Sequence, residues 1–305
     1  MEKRQLGKSD VSISEIGLGC MSLPSNLEEA EKIIQTALEH GITYYDTADL
    51  YDQGENEKML GSLLKSHRQE VIIATKVGNR PNENGDGWHW DASKGWIQKA
   101  IHDSLKRLQT DYIDVYQLHG GTMEDNVDEV IDTMESLKKD GLIREYGISS
   151  IRPNVINRFL NKSSAVSVMM QYSLLDRRPE EWLSLLEQSD TTLLSRGSLA
   201  KGLLTEDEGL IRAKKAGDYL SYSNKELLDT LVKLKALDIP LNAIALRYVL
   251  QNGAAIVGAS SKEQLMETIE AYKSKVSIEI LEKAAEITKK INILSIEYKN
   301  KDFSP

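Results

Sequence analysis

The hydrophobic pattern changes period repeatedly along the chain. Short β-prone apolar runs alternate with longer stretches whose apolar residues recur at helical spacing. Leu27 to His40 has Ala30, Ile33, Ile34, Ala37 and Leu38 on one helical face. A strand, Gly41-Ile42-Thr43-Tyr44-Tyr45, follows and runs into Asp46. The alternation then continues. Glu55 to Leu64 is a helix and Val71 to Thr75 a strand that runs into Lys76. A helix capped by Asp91 or Ser93 extends to about Leu108, and the strand Ile113 to Leu118 runs into His119. A helix from about Glu124 to Asp140 is stopped by Gly141. The unit repeats with strands at Tyr146–Ser149, Val166–Gln171, Thr191–Ser195 and Ala254–Val257, separated by helices at Pro153–Leu160, Glu180–Gln188 and Lys225–Leu237.

With Ile16–Gly19 as the first, eight strands alternate with helices. No linker or shift of composition divides residues 1–305, so one domain is expected. This order predicts a (β/α)8 TIM barrel, preceded by a β-hairpin within residues 4–13. Lys262–Tyr272 is the helix of the last strand, and Leu241–Gln251 and Ser277–Lys290 supply extra C-terminal helices. The competing architecture is an open doubly wound sheet. That fold usually carries a Gly-x-Gly-x-x-Gly turn early on, and Gly17-Leu18-Gly19 lacks the third glycine. Long loops are expected at residues 78–91 and 197–224, and a polar irregular tail after Asn292.

Composition narrows the class. A net charge of −9 over 305 residues argues against a nucleic-acid partner. The single cysteine, Cys20, excludes an internal disulfide and fits a reducing compartment. No signal-peptide core and no membrane-spanning apolar run is present, and Cys20 lacks the partners of a metal site. The expectation is a cytoplasmic protein, monomeric by default, with no nucleic-acid, membrane or metal partner.

Polar residues cluster where strands end. Asp46 closes one strand and Tyr51 lies five residues beyond it; Lys76 and His119 close the next two. In a parallel α/β fold those ends face one crevice. Singly, each has a bland reading: Asp46 a cap, Lys76 a solvated charge, Tyr51 a packed ring. Their coincidence at successive strand ends favours a proton-donating site.

The segments Asp46-Thr47-Ala48-Asp49-Leu50-Tyr51, Ala74-Thr75-Lys76 and Gln117-Leu118-His119 together resemble those of the aldo-keto reductase superfamily, in the bacterial branch near the potassium-channel β-subunits. The resemblance extends from about Arg4 to Thr268. It implies reversible hydride transfer between NADPH and a small-molecule aldehyde or ketone. Tyr51 would be the general acid, and His119 would hydrogen-bond the carbonyl oxygen. A free phenol titrates at about 10. The implied roles of Lys76 and Asp46 are to favour the phenolate and to orient that lysine.

The same resemblance implies a cofactor site. Ser149, Ser150 and Gln171 would meet the nicotinamide amide, with Ser150 standing where relatives carry Asn. Arg196 replaces an aromatic residue that stacks on the nicotinamide ring; a guanidinium plane also stacks. Gly197, Ser198, Leu199, Lys201 and Gly202 would follow the pyrophosphate. Gly258, Ala259, Ser260, Lys262, Gln264, Glu267 and Thr268 would surround the adenosine 2′-phosphate, with Ser260 and Thr268 replacing the usual Arg and Asn. Gly19, Cys20 and Met21 would line the inner end. Gly120 and Gly121 imply a roomy carbonyl pocket, while Trp88 and Trp90 either wall that pocket or pack on the barrel's rim.

Two other functions suit parts of this pattern. A Schiff-base aldolase would use Lys76 as nucleophile but leaves Ser149, Gln171 and the Gly258 segment without a role. A non-catalytic NADPH-sensing binding protein would retain the cofactor residues and turn over slowly.

Overall fold

The computed structural model describes residues 1–82 and 86–291; the tail expected after Asn292 lies outside them. Eight parallel strands close into a barrel in chain order. They are β1 (Ile16–Gly19), β2 (Tyr44–Asp46), β3 (Ile72–Val77), β4 (Ile113–His119), β5 (Ile143–Ser149), β6 (Ser167–Gln171), β7 (Thr192–Arg196) and β8 (Gly253–Gly258). Closure runs through β8 and β1, where Ala255 pairs with Ile16 and Gly258 with Gly19.

The surrounding helices are α1 (Leu27–Glu39), α2 (Glu55–Leu64), α3 (Lys94–Leu108), α4 (Val127–Lys139), α5 (Pro153–Leu160), α6 (Leu183–Gln188), α7 (Asp207–Ala216), α8 (Asn224–Lys235), α9 (Leu241–Leu250), α10 (Lys262–Lys273) and α11 (Ile278–Ile287). Their starts follow from local chemistry. Asn26 accepts a hydrogen bond from the Glu29 backbone at α1, and Ser93 from that of Trp96 at α3. Each satisfies one of the unpaired amides of a first turn.

The two-residue period of a strand sorts side chains between two cores. Tyr45, Ile73, Tyr116 and Ile148 point outwards and join the helices in the larger core. Tyr44, Ala74, Val115, Met169, Leu194 and Ala254 point inwards and form a second core inside the barrel. Continuing the inward series to the C-terminal end gives Asp46, Lys76, Gln117, Ser149, Gln171 and Arg196. The barrel therefore changes from apolar to polar along its own axis.

The opposite end is closed by the expected hairpin, Lys3–Gln5 paired antiparallel with Ser12–Ser14. Its Leu6, Val11 and Ile13 are buried in the inner core. Arg4 ties it to the Leu250 carbonyl at 3.0 Å, and the Gly7 amide to Thr192 Oγ1 at 2.8 Å.

Several elements differ from the sequence expectation. The segment expected as a loop over 78–91 contains a short ribbon, Asn79–Pro81 against Trp88–Trp90. Asn79-Arg80-Pro81 has no apolar run to mark it as a strand. The segment expected as a loop over 197–224 contains α7, whose charged sequence buries Ala213 but leaves Ile211 exposed. Strand β5 starts at Ile143, not Tyr146, because Ile143 pairs with Ile113. Helix α4 starts at Val127, because Asp125 and Asn126 bond the backbone as turn and cap. The first residues of the helix expected from Glu180 form a 3-10 turn, Arg178–Trp182.

Candidate active site

The inward polar layer meets at Lys76, which is 1 % exposed. Its ammonium donates to Asp46 Oδ2 at 2.6 Å, to the Thr47 carbonyl at 2.6 Å and to the Tyr51 hydroxyl at 3.3 Å. The second Asp46 oxygen accepts from Gln117 Nε2 at 3.2 Å. Burial pushes the Asp46 carboxyl up, opposed by Lys76, Gln117 and Arg196. Burial also disfavours the Lys76 ammonium, but Asp46 and Tyr51 outweigh it and the lysine pKa is raised. Both Asp46 oxygens accept hydrogen bonds, from the Lys76 ammonium and the Gln117 amide, and both bonds favour the ionised carboxylate.

Tyr51 is placed by the turn after β2. Thr47 donates its amide to the Ala74 carbonyl at 2.8 Å and Tyr51 to that of Ala48 at 3.1 Å. Asp52 and Gln53 then adopt left-handed backbone angles, φ 48° and 53°. Such non-glycine positions cost on the order of 1 kcal/mol or more each and are held by their surroundings. The Tyr51 ring meets His119 edge-on, with centroids 6.0 Å apart. Burial lowers the His119 pKa to about 3, reinforced by the positive charges of Lys76 and Arg196. The imidazole is therefore neutral at pH 7. Its Nδ1 is buried without a hydrogen-bond partner among the described residues.

The expected cofactor residues fall around the same rim. Strand register sets His119 beside Ser149, and Gln171 beside Arg196. The charge of Arg196 acts on both Asp46 and His119, which brings it to the centre of the polar layer. The Ser150 hydroxyl accepts from the Arg152 amide at 3.2 Å, so its own turn already uses it. Ser198 is buried, its hydroxyl donating to the Ser195 carbonyl, while Gly197 and Lys201 are exposed. Leu199 and Gly202 are half-buried in the same loop.

The closing strands carry the rest. Gly258 lies beside Gly19 and runs through buried Ala259 to exposed Ser260. The Ser260 amide and hydroxyl both donate to Gln264 Oε1, at 3.0 and 2.9 Å, and Ser261 caps α10. Lys262 and Glu267 are exposed, but the Thr268 hydroxyl is buried and bonds back to the Gln264 carbonyl. Thr268 thus serves its own helix. Cys20 is fully buried with its thiol on the Leu18 carbonyl, and burial pushes that thiol well up, whereas Met21 is exposed. Among the described residues no group of three or more His, Cys, Asp or Glu is arranged to hold a metal, and no helix is long and apolar enough to cross a membrane.

The model of the aldo/keto reductase family matches residues 15–289. The chain belongs to the aldo/keto reductase family. A reductase is accordingly an NAD(P)H-dependent oxidoreductase, and the barrel is the one its sequence predicts. A Bacillus subtilis protein called uncharacterized oxidoreductase YqkF is 51 % identical over 278 residues, covering 89 % of this chain and 91 % of that one. The holo form of aldo-keto reductase AKR11C1 from Bacillus halodurans superposes with a TM-score of 0.90 at 47 % identity, covering 96 % of this chain and 98 % of that one. Aldo-keto reductase yakc [NADP(+)] of Schizosaccharomyces pombe is 28 % identical over 321 residues, covering 97 % and 94 %.

The sequence assigned no role to two side chains of this reductase. Gln117 holds Asp46 from the inward face of β4; its inward parity was the available signal. Asp125 binds Trp90 from a different loop, and nothing in the periodicity marks it.

Proposed function

We propose that this reductase uses NADPH to reduce aldehydes or ketones to alcohols, with Tyr51 as the proton donor. The observation that carries the reading is one ammonium, Lys76 Nζ, bonded to both Asp46 and the Tyr51 hydroxyl. Bound NADPH supplies the hydride. Tyr51 gives its proton to the carbonyl oxygen, and the phenolate left behind is stabilised by Lys76 at 3.3 Å. Asp46 keeps the lysine charged and aimed. Neutral His119 orients the carbonyl as a hydrogen-bond partner. The same three bonds disfavour Lys76 as an aldolase nucleophile, since an amine must lose its proton before it attacks.

The residues present suit a nicotinamide nucleotide. Ser149 and Gln171 offer polar side chains at adjacent strand ends, and Arg196 offers a flat cationic face for the ring. Ser260, Lys262 and the start of α10 favour a phosphate, which supports NADPH over NADH; the lone cysteine supports a cytoplasmic setting. Single-turnover reduction of a reactive aldehyde by Tyr51→Phe preloaded with NADPH should be slower by about 10² to 10⁴, with cofactor binding retained. Reduction at the parent rate rejects Tyr51 as donor. The parent preloaded with NADH tests the cofactor preference in the same assay.

A further inference from the structure

Trp90 lies over the C-terminal ends of two strands and also packs against the outer core. A Cβ built on Gly78 would come within 2.5 Å of its indole, and one on Gly120 within 3.1 Å. Gly78 is two residues beyond Lys76 and Gly120 is next after His119, so the indole lies across the ends of β3 and β4. Both glycines have positive φ, 134° and 128°, which keeps them bare beneath the ring. The indole N–H donates to Asp125 Oδ1 at 2.8 Å, and Asp125 Oδ2 accepts from the Thr122 amide at 2.7 Å. One carboxylate thereby joins the ribbon after β3 to the loop after β4. That second loop is fastened again from α5 and the residue before it: Arg152 Nη1 donates to the Gly121 carbonyl and Arg158 Nη1 to that of Met123, both at 2.6 Å.

We propose that Asp125 is a positioning residue that sets substrate preference by fixing Trp90 as a rigid wall beside the reacting carbonyl. This rests on the carbonyl-reductase reading above. A fixed indole next to two bare glycines offers a flat apolar face to a substituent on the carbonyl carbon. Trp88, on the same face of the ribbon two residues earlier and 51 % exposed, extends that apolar surface outwards. The substrate class favoured is an aldehyde bearing a planar apolar group, over small polar aldehydes. Without Asp125 the indole N–H loses its hydrogen bond to that carboxylate, and the ring can turn on its glycine seat.

The test compares 4-nitrobenzaldehyde with glyceraldehyde, each reduced with NADPH. Asp125→Ala should lower the ratio of their kcat/KM values about tenfold, the size of one well-packed apolar contact, with the change in KM of the aromatic substrate. Asp125→Asn, which keeps an acceptor oxygen, should restore much of the ratio. Trp90→Phe, which keeps a ring but has no N–H to tether, should shift the ratio in the same direction, and it decides the matter if Asp125→Ala does not fold. Adding Asp125→Ala to Trp90→Phe should then change the ratio little further. An unchanged ratio, or an equal loss on both aldehydes, overturns the proposal. If the parent protein reduces neither aldehyde, the carbonyl-reductase reading fails instead, and that result is distinct.

Discussion

At the scale of single residues, the site depends on buried polar groups whose charges are set by neighbours. His119 shows this most directly. Its ordinary pKa is about 6.5, and in the folded chain it falls to about 3, first through burial and then through Lys76 and Arg196. Between those values the unfolded chain takes up a proton that the folded chain refuses. Stability must therefore fall as pH drops from about 6.5 towards 3. Denaturant titrations across that range should show the slope, and His119→Gln should flatten it. An unaltered slope in the variant would mean that the imidazole titrates normally. Asp46, Tyr51, Lys76 and His119 were legible because each stands at, or just past, a strand end that the hydrophobic pattern marks. Gln117 was not, because its contact with Asp46 crosses from β4 to β2, past β3. Thr268 has a local partner in the Gln264 carbonyl, because a threonine inside a helix bonds its own preceding turn readily.

At the scale of elements, α2 and α3 dock behind the Tyr51 turn through a charged contact. Glu57 is fully buried; it accepts from Arg107 Nε at 2.6 Å and from the Thr75 hydroxyl at 2.6 Å. A Cβ on Gly61 would come within 2.5 Å of the Leu108 backbone, so the two helices cross in near contact. Removing one partner of a buried ion pair leaves the other charge stranded, at a cost of about 3–5 kcal/mol. Arg107→Ala should lose stability on that order in chemical denaturation, and adding Glu57→Gln should recover part of it. A loss under 1 kcal/mol would show that the pair is replaced by solvent. The barrel strands and most helices could be read from sequence because each repeats one period over enough residues. The ribbon at Asn79–Trp90 and helix α7 could not. The first is polar apart from Pro81 and its two tryptophans, and the second is half charged and packs mainly on α8.

At the scale of the whole molecule, the barrel is apolar at the hairpin-plugged end and polar at the other, so its stability and its chemistry reside at opposite ends of one axis. The residues proposed to hold the cofactor include Gly19 on β1 and Gly258 on β8. Those two strands meet directly, with Gly258 beside Gly19. The pairing joins the most distant strands in the barrel's sequence, and contacts of such long separation are slow to form. Refolding followed by far-ultraviolet dichroism and by NADPH fluorescence should therefore give two time courses, with nucleotide affinity returning in the slower one. Coincident courses would mean that the β8–β1 seam forms with the rest. A nucleotide seated across that seam also holds it shut, adding about 2.7 kcal/mol at one hundred times its Kd. During synthesis, then, a chain that has not yet made β8 lacks one side of that seam, and a nucleotide bound at the proposed site would favour the closed barrel over every unfinished one.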